Sequence, residues 1–408
     1  MPDDTKRAAW IVLGGIHLLN ETAPRRASDP VVLVEVTPQE VCMPSTTVVV
    51  RWNTLGVCPT IALTAGGAQI VEGRITGSAL FPDAIAGPSL SAMVGPEAAP
   101  SLVPLCYLAE HPEGGGYHAY GQIRFYAEDA CFVRTTSNPI GDGPVEALSW
   151  LEPALDAHRQ AALRLNNHLR YFRTHFGGTE LEYKYNLEPA PDIWAAALEL
   201  LKAVRHGELP GCRPEYREEF QIHAFENYMF DVLGPAGEVG YASFIPRVDG
   251  GYVLKRKWYE EDAFARRERL LTDIKVSPAT FEDYLRSELH LQVQALPPFR
   301  RVRYDVQVES MRTGHVYGIF FDRSSLLAAP AIVLAQCEME YRRSRSILDH
   351  DPNDMLQEME HVNNWLLSYL TARGMTQEGT FYSKRTFLRD AVAAEPRLLS
   401  ATGRYRSA

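Results

Sequence analysis

The stretch Thr179-Glu180-Leu181-Glu182-Tyr183-Lys184-Tyr185-Asn186-Leu187 decides how this chain is read. As a β-strand, its period-2 alternation puts Glu180, Glu182 and Lys184 on one face and Leu181, Tyr183 and Tyr185 on the other. Two carboxylates and an ammonium are rarely buried unless paired or bound to a metal, so that face must meet water, a cation or a charged ligand. Alone, the pattern also suits a solvated sheet face. A second stretch changes the balance. In residues 331–342 (AIVLAQCEMEYR) the same alternation gathers Gln336, Glu338, Glu340 and Arg342 on one face.

Between the two acidic strands lie basic ones. Residues 219–232 read as β. Residues 239–247 run to Arg247 before an Asp-Gly-Gly turn, and 252–259 return with Lys255 and Lys257 on one face. Residues 263–274 place Arg266 and Glu268 together, with Arg267 and Arg269 opposite. Residues 299–309 align Arg301 with Arg303, and the apolar run 316–322 ends at Asp322. Helical periodicity marks 192–205, with Trp194, Ala197, Leu198, Leu201 and Val204 inward, and also 278–289 and 352–373. In the last of these, Met355, Met359, Val362, Leu366 and Tyr369 form a stripe. Lys384 and Arg385 follow in 380–390.

A flat sheet would leave such a face as ordinary surface, whereas a sheet closed into a barrel turns it into a polar lumen. Four carboxylates and a larger set of cations in one lumen have a chemical use. The cations grip a polyphosphate, and the carboxylates hold a hard divalent ion such as Mg²⁺ or Mn²⁺ through oxygen. Without ligand and metal the lumen would be a costly set of internal ion pairs. Together the two halves describe a phosphate-transfer site.

On these residues the chain resembles the CYTH family, also called triphosphate tunnel metalloenzymes. The motifs are the E-x-E-x-K of Glu180, Glu182 and Lys184, the later E-x-E of Glu338 and Glu340, and the ordered basic positions between them. Those are Arg247, Lys255, the R-x-E of Arg266 and Glu268, and the R-x-R of Arg301 and Arg303. The resemblance covers residues 178–392 and implies an α+β fold: an antiparallel β-barrel, the triphosphate tunnel, with flanking helices. It further implies Glu180, Glu182, Glu338 and Glu340 as metal ligands for Mg²⁺ or Mn²⁺. Arg247, Lys255, Lys257, Arg301, Arg303 and Lys384 are implied as phosphate contacts, and Glu180, Glu182, Lys184 and Arg266 as catalytic residues. Lys255 and Lys257 are ambiguous by one pleat repeat. Glu268 is read as orienting an arginine, and Asp322 as doing the same or capping a turn. Arg385 is the alternative to Lys384. Tyr183, Tyr185, Phe320 and Phe321 are read as packing around the barrel wall. His158, His175, His223 and His290 have no partner pattern. The sequence departs from the family in its opening Thr179 and in the insertion at 186–218.

Residues 1–145 are a separate β-rich domain, read as a small sandwich or barrel from runs such as 31–36 (VVLVEV) and 47–52 (TVVVRW). The opening apolar run at 8–19 is the one helical candidate, and 82–116 reads as an irregular excursion. Binding, homodimerisation or covering one mouth of the next domain are all open as roles for this part. Residues 146–177 form a helical linker in which Pro153 starts or breaks the helix, and 393–408 are a tail.

The 408 residues carry 23% charged and 46% hydrophobic residues, as in ordinary globular proteins, and the net charge of -10 argues against nonspecific nucleic-acid binding. Six scattered cysteines show no CxxC or Cys/His cluster, so a reduced cytoplasmic setting is the default. The longest apolar run falls short of the roughly 18–20 residues of a spanning helix.

The resemblance implies hydrolysis of a triphosphate, with ATP, inorganic triphosphate or another organic triphosphate as the small-molecule partner. Cyclisation of ATP to cyclic AMP and pyrophosphate is the second reading, and a non-catalytic polyphosphate-binding module the third. Polyphosphate synthesis, a further family chemistry, goes with membrane segments for which the sequence gives no pattern.

Overall fold

The computed structural model describes residues 8–15, 17–20, 26, 28–36, 41–42, 46–51, 55–64, 69–76, 88–99, 102–111, 114–125, 129–165, 172–215, 220–235, 237–259, 264–345, 348, 351–375 and 379–399. Two compact units separate. The first comprises residues up to 173 with 310–315 and 344–351, the second 174–309, 316–343 and 352 onward.

The first unit is built on strands β1 (Ala9–Gly15), β2 (Val31–Glu35), β3 (Val41–Cys42), β4 (Thr47–Arg51), β5 (Val57–Thr64), β6 (Gln69–Thr76), β7 (Leu102–Glu110), β8 (Tyr117–Phe125) and β9 (Asp129–Arg134). They form one antiparallel sheet in the order β3-β4-β9-β8-β7-β1-β2-β5-β6, rather than a two-sheet sandwich. Both faces carry a core. Ile11, Leu13, Val32, Val34, Tyr107 and Phe132 pack on one side, and Trp10, Val12, Leu33, Leu105 and Leu108 on the other.

That two-sided burial corrects the reading of the opening run, which is the strand β1 followed by a single turn, α1 (His17–Asn20). A strand buried on both faces loses its alternation and cannot be told from a buried helix by periodicity. The supposed excursion likewise holds α2 (Pro88–Val94) and the central strand β7. Farther on, α3 (Leu151–Leu165) lays Leu151, Ala154 and Leu155 beside Trp150 on the Trp10 side of the sheet. The short β10 (Phe172–Arg173) follows.

In the second unit eight long strands close on themselves. They are β11 (Thr179–Asn186), β13 (Phe220–Leu233), β14 (Gly240–Pro246), β15 (Tyr252–Trp258), β16 (Ala265–Ile274), β18 (Phe299–Ser310), β19 (His315–Leu326) and β20 (Val333–Arg345). Around the barrel the order is β11-β16-β15-β14-β13-β18-β19-β20, and pairing of β20 with β11 completes the ring. Among the described residues of this unit three short strands lie outside the ring: β12 (Cys212–Pro214) on β18, β17 (Gln292–Ala295) on β13 and β21 (Gly379–Thr380) on β11.

Helices cover the outside. α4 (Ile193–Arg205) starts where Asp192 Oδ1 accepts from the Trp194 and Ala195 amides at 2.9 and 3.2 Å, an N-cap. With α6 (Pro352–Ala372) it packs on the outer faces of β11, β18, β19 and β20. Met355, Met359, Val362, Leu366 and Tyr369 there meet Tyr185, Val306, Phe321, Cys337 and Met339. The stripe of α4 is rotated from the expected one. Ile193, Ala196, Ala197, Leu200, Leu201 and Val204 are buried, while Trp194 is 47% exposed. α5 (Phe281–Ser287) covers β13, β14 and β15, with Phe281 stacked on Phe244 at 3.9 Å. Among the described residues no helix is long and apolar enough to cross a membrane.

Candidate functional site

Closure of the barrel turns one face of every strand inward. Register fixes which: Glu180 lies opposite Arg266, Glu182 opposite Glu340, Lys184 opposite Glu338, Lys257 opposite Glu268 and Arg303 opposite Asp322. Directly opposed residues of an antiparallel pair point the same way, so these side chains share the lumen. The lumen holds a cavity of about 300 Å³, lined by Lys184, Lys255, Lys257, Arg266, Arg301, Arg303, Arg342 and Lys384 against Glu180, Glu182, Glu268, Glu338 and Glu340. Cations outnumber carboxylates, so the cavity attracts a polyanion.

The cavity is shut at one end. α7 (Lys384–Ala394) begins at Ser383, whose hydroxyl accepts from the Thr386 amide, and its Phe387 and Leu388 pack with Met229, Tyr241 and Phe299. Its first residue, Lys384, reaches inward to Glu338 at 2.8 Å and Asp322 at 3.2 Å. Its neighbour Arg385 instead bonds Asp231 at 2.7 Å and anchors the helix to β13. At the far end Leu270 is 53% exposed, and the His223 and Arg342 side chains are each 41% exposed. That end is the mouth.

Every lumenal carboxylate is held by a cation. Glu182 takes Lys184 and Arg266, and Glu180 takes Lys257, with Lys255 at 3.4 Å. Lys255 is 2.7 Å from Glu268. Asp322 accepts from Arg301, which also stands 3.5 Å from Glu338. Arg303 Nη2 donates to Oδ2 of the buried Asp305 at 2.7 Å, its Nε stands 2.6 Å from the other oxygen as an ion-pair contact, and the guanidinium lies over the Phe320 ring at 4.2 Å. Glu340 pairs with Arg342 at 2.9 Å.

Burial alone would raise the carboxylates and lower the amines. For Glu338 burial is outweighed by Lys384, Lys184 and Arg301, which hold it well below the usual range. Asp322 is lowered by Arg301 and Lys384, and Glu268 by Lys255 and Lys257, each against burial. Lys255 is raised, because Glu268 and Tyr241 overcome its desolvation. Lys257 goes the other way: burial, reinforced by Arg266 and opposed by Glu268, brings it down to about 8. Lys384 is lowered by burial and Arg301.

No family model matches the chain, and no curated protein matches it.

Solved structures do show similarity. One is HpAC1 from Hippeastrum, described as a putative adenylyl cyclase with a dominant triphosphatase activity. It is 16% identical, with 52% of this chain and 96% of that one covered and a TM-score of 0.32. The RNA triphosphatase Pct1 of S. pombe is 12% identical over 53% of this chain and 84% of its own, at 0.21. Pct1 in complex with the Spt5 CTD is 13% identical over 54% and 83%, at 0.20.

The barrel brings together all but one of the residues singled out from sequence. Glu180, Glu182, Lys184, Lys255, Lys257, Arg266, Glu268, Arg301, Arg303, Glu338, Glu340 and Lys384 line one cavity. Asp322 is buried beneath Arg301 and Lys384. Arg247 is the exception. It follows β14, its side chain is 35% exposed, and it pairs with Asp273 at 3.0 Å and Asp249 at 3.2 Å at the hairpin turn. The strand before it points Tyr241, Ser243 and Ile245 into the cavity instead.

Both lysines in the 255/257 ambiguity point inward. Phe320 is lumenal and lies under Arg303, not in the outer wall with Phe321.

Other lumenal residues went unread. Asp305 continues the alternation Arg301, Arg303 and was legible there. His223 could not be placed without the pairing of β13 with β18, which sets it opposite Arg303 and its Nε2 3.4 Å from Asp305. Asn227, Tyr241 and Ser243 carry no charge and so gave no signal.

Glu180, Glu182, Glu338 and Glu340 offer only hard oxygen donors, the kind that suits Mg²⁺ or Mn²⁺. Among the described residues no three candidate ligands converge on one point as they stand, because each glutamate is turned to a lysine or arginine. The donor chemistry fits a divalent ion once those cations are engaged elsewhere, and phosphate oxygens are the groups that would engage them.

Proposed function

We propose that this protein is a metal-dependent hydrolase of a triphosphate, acting inside the barrel of its second unit. One observation carries the reading: a closed lumen in which cations from several strands surround two acidic pairs on adjoining strands, with more positive than negative charge. A polyanion satisfies that excess, and three linked phosphates present enough oxygens to engage several guanidinium and ammonium groups together.

In this proposal Lys184, Arg266, Arg301, Arg303, Lys255, Lys257 and Lys384 hold the phosphate chain. Arg301 is kept in place by Asp322 and Arg303 by Asp305, so neither has to be ordered when substrate enters. Glu180, Glu182, Glu338 and Glu340 would hold Mg²⁺ or Mn²⁺, which when bound supplies Lewis-acid polarisation of phosphoryl oxygens. Water attacks the terminal phosphorus, the bond to the bridging oxygen breaks, and orthophosphate leaves. The fixed cations offset the charge that shifts onto the bridging oxygen. Arg247 takes no part.

Phosphorus NMR tests the reading. The protein is incubated with ATP or inorganic triphosphate and Mg²⁺ or Mn²⁺. Orthophosphate is the expected product. Pyrophosphate with a cyclic nucleotide would replace hydrolysis by cyclisation, and binding without turnover would leave a phosphate-binding module.

A further inference from the structure

The lumen is not charged all the way round. Starting from the proposed triphosphate hydrolase, on which this inference rests, the uncharged part of its wall names the substrate class.

Four consecutive strands, β13, β14, β15 and β16, bring Phe225, Ile245, Val253 and Leu270 to the same cavity. Leu270 is 53% exposed, and the other three are half-buried. They form an apolar arc on the mouth side, while Arg303, Glu340 and Arg342 of β18 and β20 line the cavity from the other side. Just inside the arc, Asn227 and Ser243 are both buried, and the Ser243 hydroxyl donates to Asn227 Oδ1 at 2.7 Å. That bond uses one lone pair of the amide oxygen, and the Asn227 N–H groups are donors this wall offers a ligand.

Inorganic triphosphate has no use for such an arc. It is anionic along its whole length, and an apolar surface beside it contributes no hydrogen bond. A ligand that is highly anionic at one end and apolar or aromatic at the other matches both parts of the wall. Because α7 closes the opposite end, such a ligand enters phosphate-first and leaves its organic group at the arc.

We infer that the substrate is an organic triphosphate whose organic group packs on Phe225, Ile245, Val253 and Leu270, with Asn227 donating to an acceptor on it. Apolar pocket contacts of this kind are worth about tenfold or more in discrimination.

The test uses the full-length protein with Mg²⁺ and two probes, ATP and inorganic triphosphate, and reads the ratio of their kcat/KM values. The ratio is expected to favour ATP. It is expected to fall about tenfold in Ile245→Ser and in Leu270→Ser, the second being an exposed position where the substitution leaves folding intact. Hydrolysis of inorganic triphosphate as fast as ATP, or a ratio unchanged in a folded Leu270→Ser protein, would overturn the inference while leaving the hydrolase reading in place. Hydrolysis of neither probe would overturn both.

Discussion

Glu182 and Glu340 stand directly opposite each other across the seam where β20 closes the barrel. Glu182 is held by Lys184 and Arg266, Glu340 by Arg342 at 2.9 Å. Like charges opposed in register destabilise a sheet unless other charges intervene. Here the intervening cations are in excess, so the lining side chains taken together are short of negative charge.

It follows that a triphosphate stabilises the fold even without metal. At a hundred times its Kd a ligand adds about 2.7 kcal/mol. Thermal unfolding with inorganic triphosphate in the presence of a chelator should show a raised melting temperature, larger at low salt. An unchanged melting curve would remove the excess-cation argument.

Lys257 sets a pH limit. Its ammonium is brought down to about 8 by burial, so it loses charge as pH rises through that value. Triphosphate affinity is therefore expected to fall as pH rises above about 8. Lys257→Arg keeps its charge and should abolish the fall. The stability sign is opposite. Between about 8 and the ordinary lysine value the unfolded chain binds the extra proton, so this group's contribution to stability rises with pH. Affinity measured across pH 6–10 in both proteins checks the point.

Arg247 and Arg301 should part company. Arg247 is tied to Asp273 and Asp249 at a turn, whereas Arg301 lies in the cavity between Asp322 and Glu338. Arg247→Ala is expected to change kcat/KM by less than about twofold. Arg301→Ala should lower it by about a hundredfold or more, the scale of losing a fixed cation at a transferring phosphoryl group. Steady-state kinetics of the two variants decides.

α7 depends on one buried ion pair. Arg385 and Asp231 are 2.7 Å apart, and their side chains are 5% and 6% exposed. Removing Arg385 leaves Asp231 with Arg389, 3.7 Å away on a side chain 56% exposed, so the cost is up to about 3–5 kcal/mol. Arg385→Met should therefore lower stability to denaturant by about that amount and weaken activity through Lys384, its neighbour in the lumen. A loss below about 1 kcal/mol would show that the helix is held by Phe387 and Leu388 alone.

The second unit was legible because alternation survives wherever one face is polar and the other apolar. Glu180-x-Glu182-x-Lys184 and Glu338-x-Glu340 announce an inward polar face, and the Met355–Tyr369 stripe announces the helix behind it. The first unit was harder for the same physical reason. With both faces of its sheet buried, β1 and β7 carry no alternation to read. In the site, charge was visible and neutrality was not. Asn227, Tyr241 and Ser243 look like any strand residues until closure of the barrel turns them inward. Arg247 misled because it sits one pleat beyond Ile245, past the point where the chain leaves the strand for the turn.

The most direct measurement is orthophosphate release by the wild type and by the double variant Glu180→Gln/Glu182→Gln, under identical Mg²⁺ or Mn²⁺ conditions, with a melting curve for each. The lumen as active site predicts release by the wild type and none by a double variant that still unfolds cooperatively. Equal release by the two proteins would contradict it.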